Sequence, residues 1–328
     1  MSFVIRSSAC YLPQSKVSAE ELDQRLSLEP GTCRRRYGVD YRHYASPSET
    51  ALFMGAEAAS AALDRAELQW ADIDLLVCAS GTSHQALPYN AAGVLAELQI
   101  AEPLATMDVN ASCLSFLAAL EFSHCAIASG RYRRVMIVSS EVAKIGVQDI
   151  KPETATLFAD GAAAFVLEAS KNSAGLLTSL FQTYPEGYSL CQIRAGGSGL
   201  HPTRNPMGAV AEGSYFEMQG KALYRMVSKL APEFIRQGLG KAQLTLSDIA
   251  HIAPHQASHA GLAHLIHRLG LDEDKVVNLF ATMGNQVAAS LPIALDHLLR
   301  NKRVARGELV MLFGSAAGLS LGLGVLSL

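Results

Sequence analysis

Three side chains combine residue type and setting in a way suited to nucleophilic attack and to stabilising charge on a carbonyl oxygen. Cys113 stands in MDVNASCLSF, directly after a predicted strand and in the first turn of a predicted helix. Amide N–H groups and the positive end of a helix dipole stabilise a thiolate there, lowering its pKa and making a nucleophile near neutral pH. A buried structural thiol is the competing reading. His255 lies in IAHIAPHQAS, where an apolar run ends at Pro254 and the chain turns. A ring projecting from a strand end can exchange a proton or donate a hydrogen bond to a ligand, or it can be an ordinary hydrogen-bonded histidine. Asn285 follows Gly284 at the head of a second predicted helix in ATMGNQVAASLPIAL. It is either a helix cap or a neutral donor that cannot lose its proton, suited to charge developing on a carbonyl oxygen.

His251, His255 and His259 recur every fourth residue, a metal-ligand spacing only on a continuous helix. Pro254 and the apolar run before it prevent one, so no metal is expected. Lys221, Arg225 and Lys229 also recur every fourth residue, and on a helix they form one basic stripe, either a solvated face or a docking surface.

The elements that must position these residues alternate along the chain. Segments 72–80, 105–110, 134–140 and 162–169 read as strands, with helices over 89–98 and about 113–129. This is an α/β pattern of layered sheets. The second half repeats it: DIAHIAPH (248–255) resembles DIDLLVCA, and a helix over about 287–299 leads into ELVMLFG as the Cys113 helix leads into RVMIVSS. From Ile73 to Ile249 is 176 residues and from Val135 to Val310 is 175, so two pairs agree on a duplicated unit. The expected halves are 1–172, carrying the cysteine, and 173–328, carrying the histidine and asparagine. Packing about a pseudo-twofold axis would bring the three loops to one pocket.

With 328 residues the chain can bury a large core without staples. Charged residues make up 17% and the net charge is -3, which excludes general nucleic-acid affinity. The six cysteines are scattered with no Cys-x-x-Cys, as in reduced thiols of a cytosolic protein. No secretory signal is read at the N-terminus. The uncharged stretch after Glu308 is expected to be two buried strands split at FGSAAG rather than a membrane anchor.

DVNASC, FADGAAA (158–164), YFEMQGKALYR (215–225), PHQAS, GNQVAASLP (284–292) and FGSAAG (313–318) occur together in an order and spacing that resembles the thiolase-fold condensing enzymes. Within them, the Cys, His and Asn trio resembles the β-ketoacyl-[acyl-carrier-protein] synthase III family. The resemblance implies a five-layered αβαβα fold built from two like halves. It also implies acyl transfer from a thioester to Cys113, with the oxyanion held by the backbone N–H groups of Cys113 and Ser315. His255 and Asn285 would then stabilise the enolate formed when a malonyl-type thioester loses carbon dioxide. Arg36 and Phe313 are the implied substrate or coenzyme A contacts, and Lys221, Arg225 and Lys229 the implied docking surface for acyl carrier protein. The expected protein is a cytoplasmic homodimer with no cofactor beyond its acyl-CoA, acyl-carrier or malonyl thioester substrates, and no membrane or nucleic-acid partner.

Departures from the family pattern point to a specialised substrate. RYGV over 36–39 keeps the arginine, but the tryptophan that would complete an adenine sandwich is missing, Trp70 being the only one. Leu114 and Ser115 add side chains beside the nucleophile, Ala159 replaces a glycine before Asp160, Ser258 replaces an asparagine, and Ala260 replaces a docking arginine. A cysteine acyltransferase, a non-decarboxylating condensing enzyme and a catalytically silent partner subunit remain as alternatives.

Overall fold

The computed structural model describes residues 2–148, 150–171, 174–301 and 304–328. The expected boundary between the halves, 172/173, lies outside the described residues. The first sheet is built from β1 (Ser2–Tyr11), β2 (Leu75–Cys78), β3 (Ala105–Asp108), β4 (Arg134–Glu141) and β5 (Gly161–Ser170), in the order β1-β5-β4-β2-β3. The second comprises β6 (Gly175–Thr183), β7 (His251–Pro254), β8 (Leu309–Ala316) and β9 (Ser320–Ser327), in the order β7-β8-β9-β6. In each sheet a parallel pair adjoins an antiparallel one: β2 runs parallel to β4 with Leu75 opposite Val135, and β7 parallel to β8 with His251 opposite Val310. The place of β3 is marked in the second sheet by a single parallel bridge from Ile252 to Val276. These registers preserve the offsets read from the sequence, so the repeat is a structural one.

Two helices, α2 (Ser115–Ala128) and α5 (Ser290–Asn301), lie between the sheets. The core explains why. Phe116, Leu117 and Leu120 of α2 and Leu291, Leu295 and Leu298 of α5 share one buried cluster with Leu75, Ile137 and Phe165 of the first sheet and Val310 and Leu312 of the second. A helix apolar on most sides is stable only where both faces are covered. Helix α1 (Ala51–Ala66) covers the outer face of the first sheet, and α3 (Gly220–Gly240) with α4 (His259–Leu269) covers the second, giving the five expected layers.

The uncharged C-terminal stretch is the antiparallel pair β8–β9, as expected, but the break falls elsewhere. The strand continues through Phe313–Gly314–Ser315–Ala316, and the turn occupies residues 317–319. Among the described residues no helix is long and apolar enough to cross a membrane. The strands β1 and β6 were not anticipated. Each pairs on one side only, at the outer edge of its sheet, and its mixed burial gives neither clean alternation nor a continuous apolar run.

Candidate active site

The turn before α2 presents Cys113 through a left-handed residue, Ser112, at φ +55°. Asn110 Oδ1 accepts from the Ser112 N–H at 2.8 Å, and Ser115 Oγ accepts from the Ala111 N–H at 2.9 Å. The turn before α5 repeats this 175 residues later. Val287 has φ +49°, Asn285 Oδ1 accepts from its N–H at 2.9 Å, and Ser290 Oγ accepts from the Gln286 N–H at 2.9 Å. Asn285 is therefore the twin of Asn110, Ala288 the twin of Cys113, and the two elbows are the same device used twice. The asparagine caps a turn, as one reading of the sequence held. A short 3-10 turn, Val287–Ala289, intervenes before α5 begins.

The three loops meet around Gly314. A Cβ there would stand 2.8 Å from His255 Cβ and 3.2 Å from Leu114 Cδ2, so only glycine lets strand β8 touch both. The His255 N–H donates to Phe313 O at 2.8 Å and the Ala257 N–H to His255 O at 2.9 Å. Asn285 Nδ2 donates to Ala257 O at 3.2 Å, which leaves its second amide hydrogen unused among the described hydrogen bonds. The Ala317 N–H, just past β8, is directed at Cys113 Sγ. Cys113, His255 and Asn285 thus come from three remote segments to one place.

Electrostatics at the trio differ from expectation at one point. Cys113 was expected to have a lowered pKa. Burial and the nearby Glu141 carboxylate instead push the thiol up to about 11, against the opposing pull of the Ser112 side chain and the Ala317 N–H. Desolvation outweighs the amide groups, so the resting group is a thiol that loses its proton as it attacks. Burial holds His255 down to about 4, so its ring is neutral at working pH. Its Nδ1 is buried with no hydrogen-bond partner among the described residues.

An apolar cavity of about 310 Å³ opens between α3 and α4 and ends against Leu157, His255, Phe313, Gly314 and Ser315. Cys113 and Asn285 stand one contact behind this inner wall: the Asn285 N–H donates to Leu157 O at 2.9 Å, and Leu114 abuts Gly314. Gly220, Leu223, Tyr224 and Val227 of α3 line the cavity, while Lys221, Arg225 and Lys229 are exposed on the same helix. Arg36 is not brought into the cavity wall. It is exposed and lies 4.0 Å from Glu153. Trp70 packs beside α1, in another part of the molecule. His251 is on β7, His255 at its end and His259 at the start of α4.

Sequence profiles of 3-oxoacyl-[acyl-carrier-protein (ACP)] synthase III match residues 107–185, and of its C-terminal part residues 239–328. Beta-ketoacyl-[acyl-carrier-protein] synthase III of Neisseria meningitidis serogroup B is 30% identical over 318 residues, covering 97% of both chains. The chain belongs to the β-ketoacyl-[acyl-carrier-protein] synthase III family. Among solved structures, the Pseudomonas aeruginosa PAO1 synthase III superposes with a TM-score of 0.88 at 29% identity, covering 100% of this chain and 98% of that one. The priming β-ketosynthase of the R1128 polyketide pathway superposes with a TM-score of 0.90 at 28% identity, covering 100% and 96%. As a synthase III family member with the thiolase fold, the protein is an acyltransferase of the condensing-enzyme class.

Two buried groups in this synthase III fold escaped the sequence reading. Glu141, at the end of β4, is fully buried. Arg42 is fully buried, and no carboxylate pairs with it among the described residues. Its Nε donates to Thr156 O at 3.1 Å and its Nη1 to Phe280 O and Ala281 O, each at 3.0 Å, with the guanidinium 4.7 Å from the Phe280 ring centre. It therefore ties three segments together next to the Asn285 loop. The signal in the sequence was a cation in an otherwise ordinary polar stretch, YRHY, which has no periodicity to mark it. Arg42→Met removes a donor from four carbonyls, Tyr41 O among them, and urea unfolding should show a loss of about 3 kcal/mol.

Proposed function

We infer that the protein takes an acyl group from an acyl thioester onto Cys113 and condenses it with a malonyl-type thioester, releasing carbon dioxide and forming a β-ketoacyl thioester. Neutral His255 at the inner end of one apolar cavity, with the Cys113 and Asn285 loops packed directly behind that wall, supports this reading. The thiol attacks the thioester carbon, the oxygen becoming negative where the Cys113 and Ser315 N–H groups are proposed to receive it, and the donor thiol departs with the proton. A malonyl thioester then faces His255 and the free amide hydrogen of Asn285. Both are neutral donors, so they stabilise an enolate oxygen without protonating the carbanion, which attacks the acyl-cysteine and returns the Sγ.

The cavity walls are apolar, matching an acyl chain and the arm that carries it. The exposed basic stripe on the helix that lines the cavity supports an acidic carrier protein as the substrate's bearer. Charge reversal at Arg225 (Arg225→Glu) should raise KM for carrier-bound substrate by roughly tenfold, more than for the coenzyme A form, with the gap shrinking as salt is added. Edge strand β3 is paired on one side only, and Tyr89, hydrogen-bonded to Thr106 of that strand, is 46% exposed, which supports a homodimer formed through that edge. We place the enzyme in the cytoplasm, consistent with its unpaired cysteines.

Intact-mass measurement after incubation with acyl-CoA, followed by addition of malonyl-carrier protein, tests the reading. The expected result is a mass gain on Cys113 and then release of carbon dioxide. A gain without carbon dioxide would make it an acyltransferase or a non-decarboxylating enzyme, and no gain would make it a silent subunit.

A further inference from the structure

Glu141 ends strand β4 inside the molecule, with no exposed surface. Its carboxylate accepts the Gly81 N–H at 2.5 Å, the Thr82 N–H at 3.2 Å and the Thr82 hydroxyl at 2.5 Å. The N–H of Ala288 also points at it. Ala288 is the residue that stands, in the second elbow, where Cys113 stands in the first. By the pseudo-twofold, the position that receives a substrate oxyanion at the Cys113 elbow is filled at the other elbow by the protein's own carboxylate.

The same contacts reach back to the nucleophile. Gly81 sits so close to both elbows that a Cβ on it would lie 2.7 Å from Val287 Cγ1 and 3.2 Å from the Ser112 carbonyl. Whatever holds Gly81 therefore holds the turn that presents Cys113. We propose that Glu141 is a positioning residue for Cys113: its carboxylate occupies the anion hole of the second elbow and, through Gly81 and Thr82, clamps the catalytic elbow in place.

The charged and titratable groups around Glu141 fit this role. Cys113 faces it across Ser112, and its thiol pKa is raised by the carboxylate. Asp160, next to Gly161 on the paired strand, is turned to the N–H groups of Ala45 and Lys144. Asp108 is turned to those of Asn90 and Ala91. The Lys144 ammonium lies over the Tyr44 ring, and the Ala288 turn carries no charge. Burial lifts Glu141 itself to about 7 against its own donors.

The proposal rests on Cys113 being the nucleophile, and two readouts keep the claims apart. Glu141→Gln removes the charge and sets an amide NH2 against N–H donors, loosening the clamp. Enzymatic acylation of Cys113 by acyl-CoA should fall by roughly ten- to hundredfold. Alkylation of the same thiol by iodoacetamide should move the other way. Above pH 7, where wild-type Glu141 is ionised, the variant should react several-fold faster, and the two profiles should converge below pH 6. A purely structural loss would not raise alkylation only above pH 7. Wild-type acylation in the variant, or superposed alkylation profiles, would overturn the proposal. Failure of the wild type to acylate would overturn only the nucleophile assignment, since alkylation still reports on the clamp. Should Glu141→Gln not fold, Thr82→Ala removes one donor and leaves the carboxylate, and acylation unchanged in that variant would equally overturn it.

Discussion

Cys113→Ala will fold and will take up no acyl group. The second elbow already carries alanine at the matching position, Ala288, in the same left-handed turn, so the backbone geometry does not need the sulfur. The lost atom belongs to a side chain that packs against the central core without being part of its buried centre. Folding should therefore be near that of the parent, while condensation falls by roughly 10⁴-fold or more, the scale seen when a covalent nucleophile is removed. Intact mass after acyl-CoA treatment checks it. A residual adduct on Cys191, whose own thiol is raised to about 12 by burial and by its proximity to Cys113, would show that the nucleophile had been misassigned.

The second large effect separates the two halves of the reaction. His255→Ala and Asn285→Asp should both acylate Cys113 yet lose condensation by roughly 10²- to 10³-fold, the cost of one preorganised donor at a developing oxyanion. Aspartate at 285 keeps the acceptor that holds the Val287 N–H, while it removes the amide donor together with its bond to Ala257 O and sets a negative charge against the developing enolate. The pH dependence follows from the direction of the histidine shift. Burial lowers its pKa to about 4, so the ring resists protonation and stays a neutral donor until pH falls through that value. The condensation step, measured from preformed acyl-enzyme, should show no acid limb due to His255 above about pH 5. A limb near pH 6.5 that disappears in His255→Ala would mean that the ring titrates in the open and works as an acid or base.

Much of this was legible because buried strands and the duplicated plan leave strong local marks. RVMIVSS is apolar on both faces and is a central strand, and the repeat offsets survive as ladder registers. Each member of the proposed trio stood out in the sequence because it sits where an apolar run gives way to a turn. The electrostatics were not. Position at a helix start suggested an acidic thiol, but the balance depends on depth and on a carboxylate 28 residues away in sequence, which spacing cannot reveal. Glu141 and Arg42 were missed for the same reason. Their importance comes from being fully enclosed, and burial of a lone charge within a mixed segment leaves no periodic trace. Arg36 shows the converse: the motif survives, but the side chain is exposed and engages Glu153.

Two like halves suggest two loaded acyl groups. The paired elbows give the opposite stoichiometry. One carries sulfur, and the other has alanine whose N–H faces a carboxylate that already belongs to the protein. On the proposed function each polypeptide has a single acyl-loading point, and the asymmetry between its halves resides in one carboxylate and one missing sulfur atom.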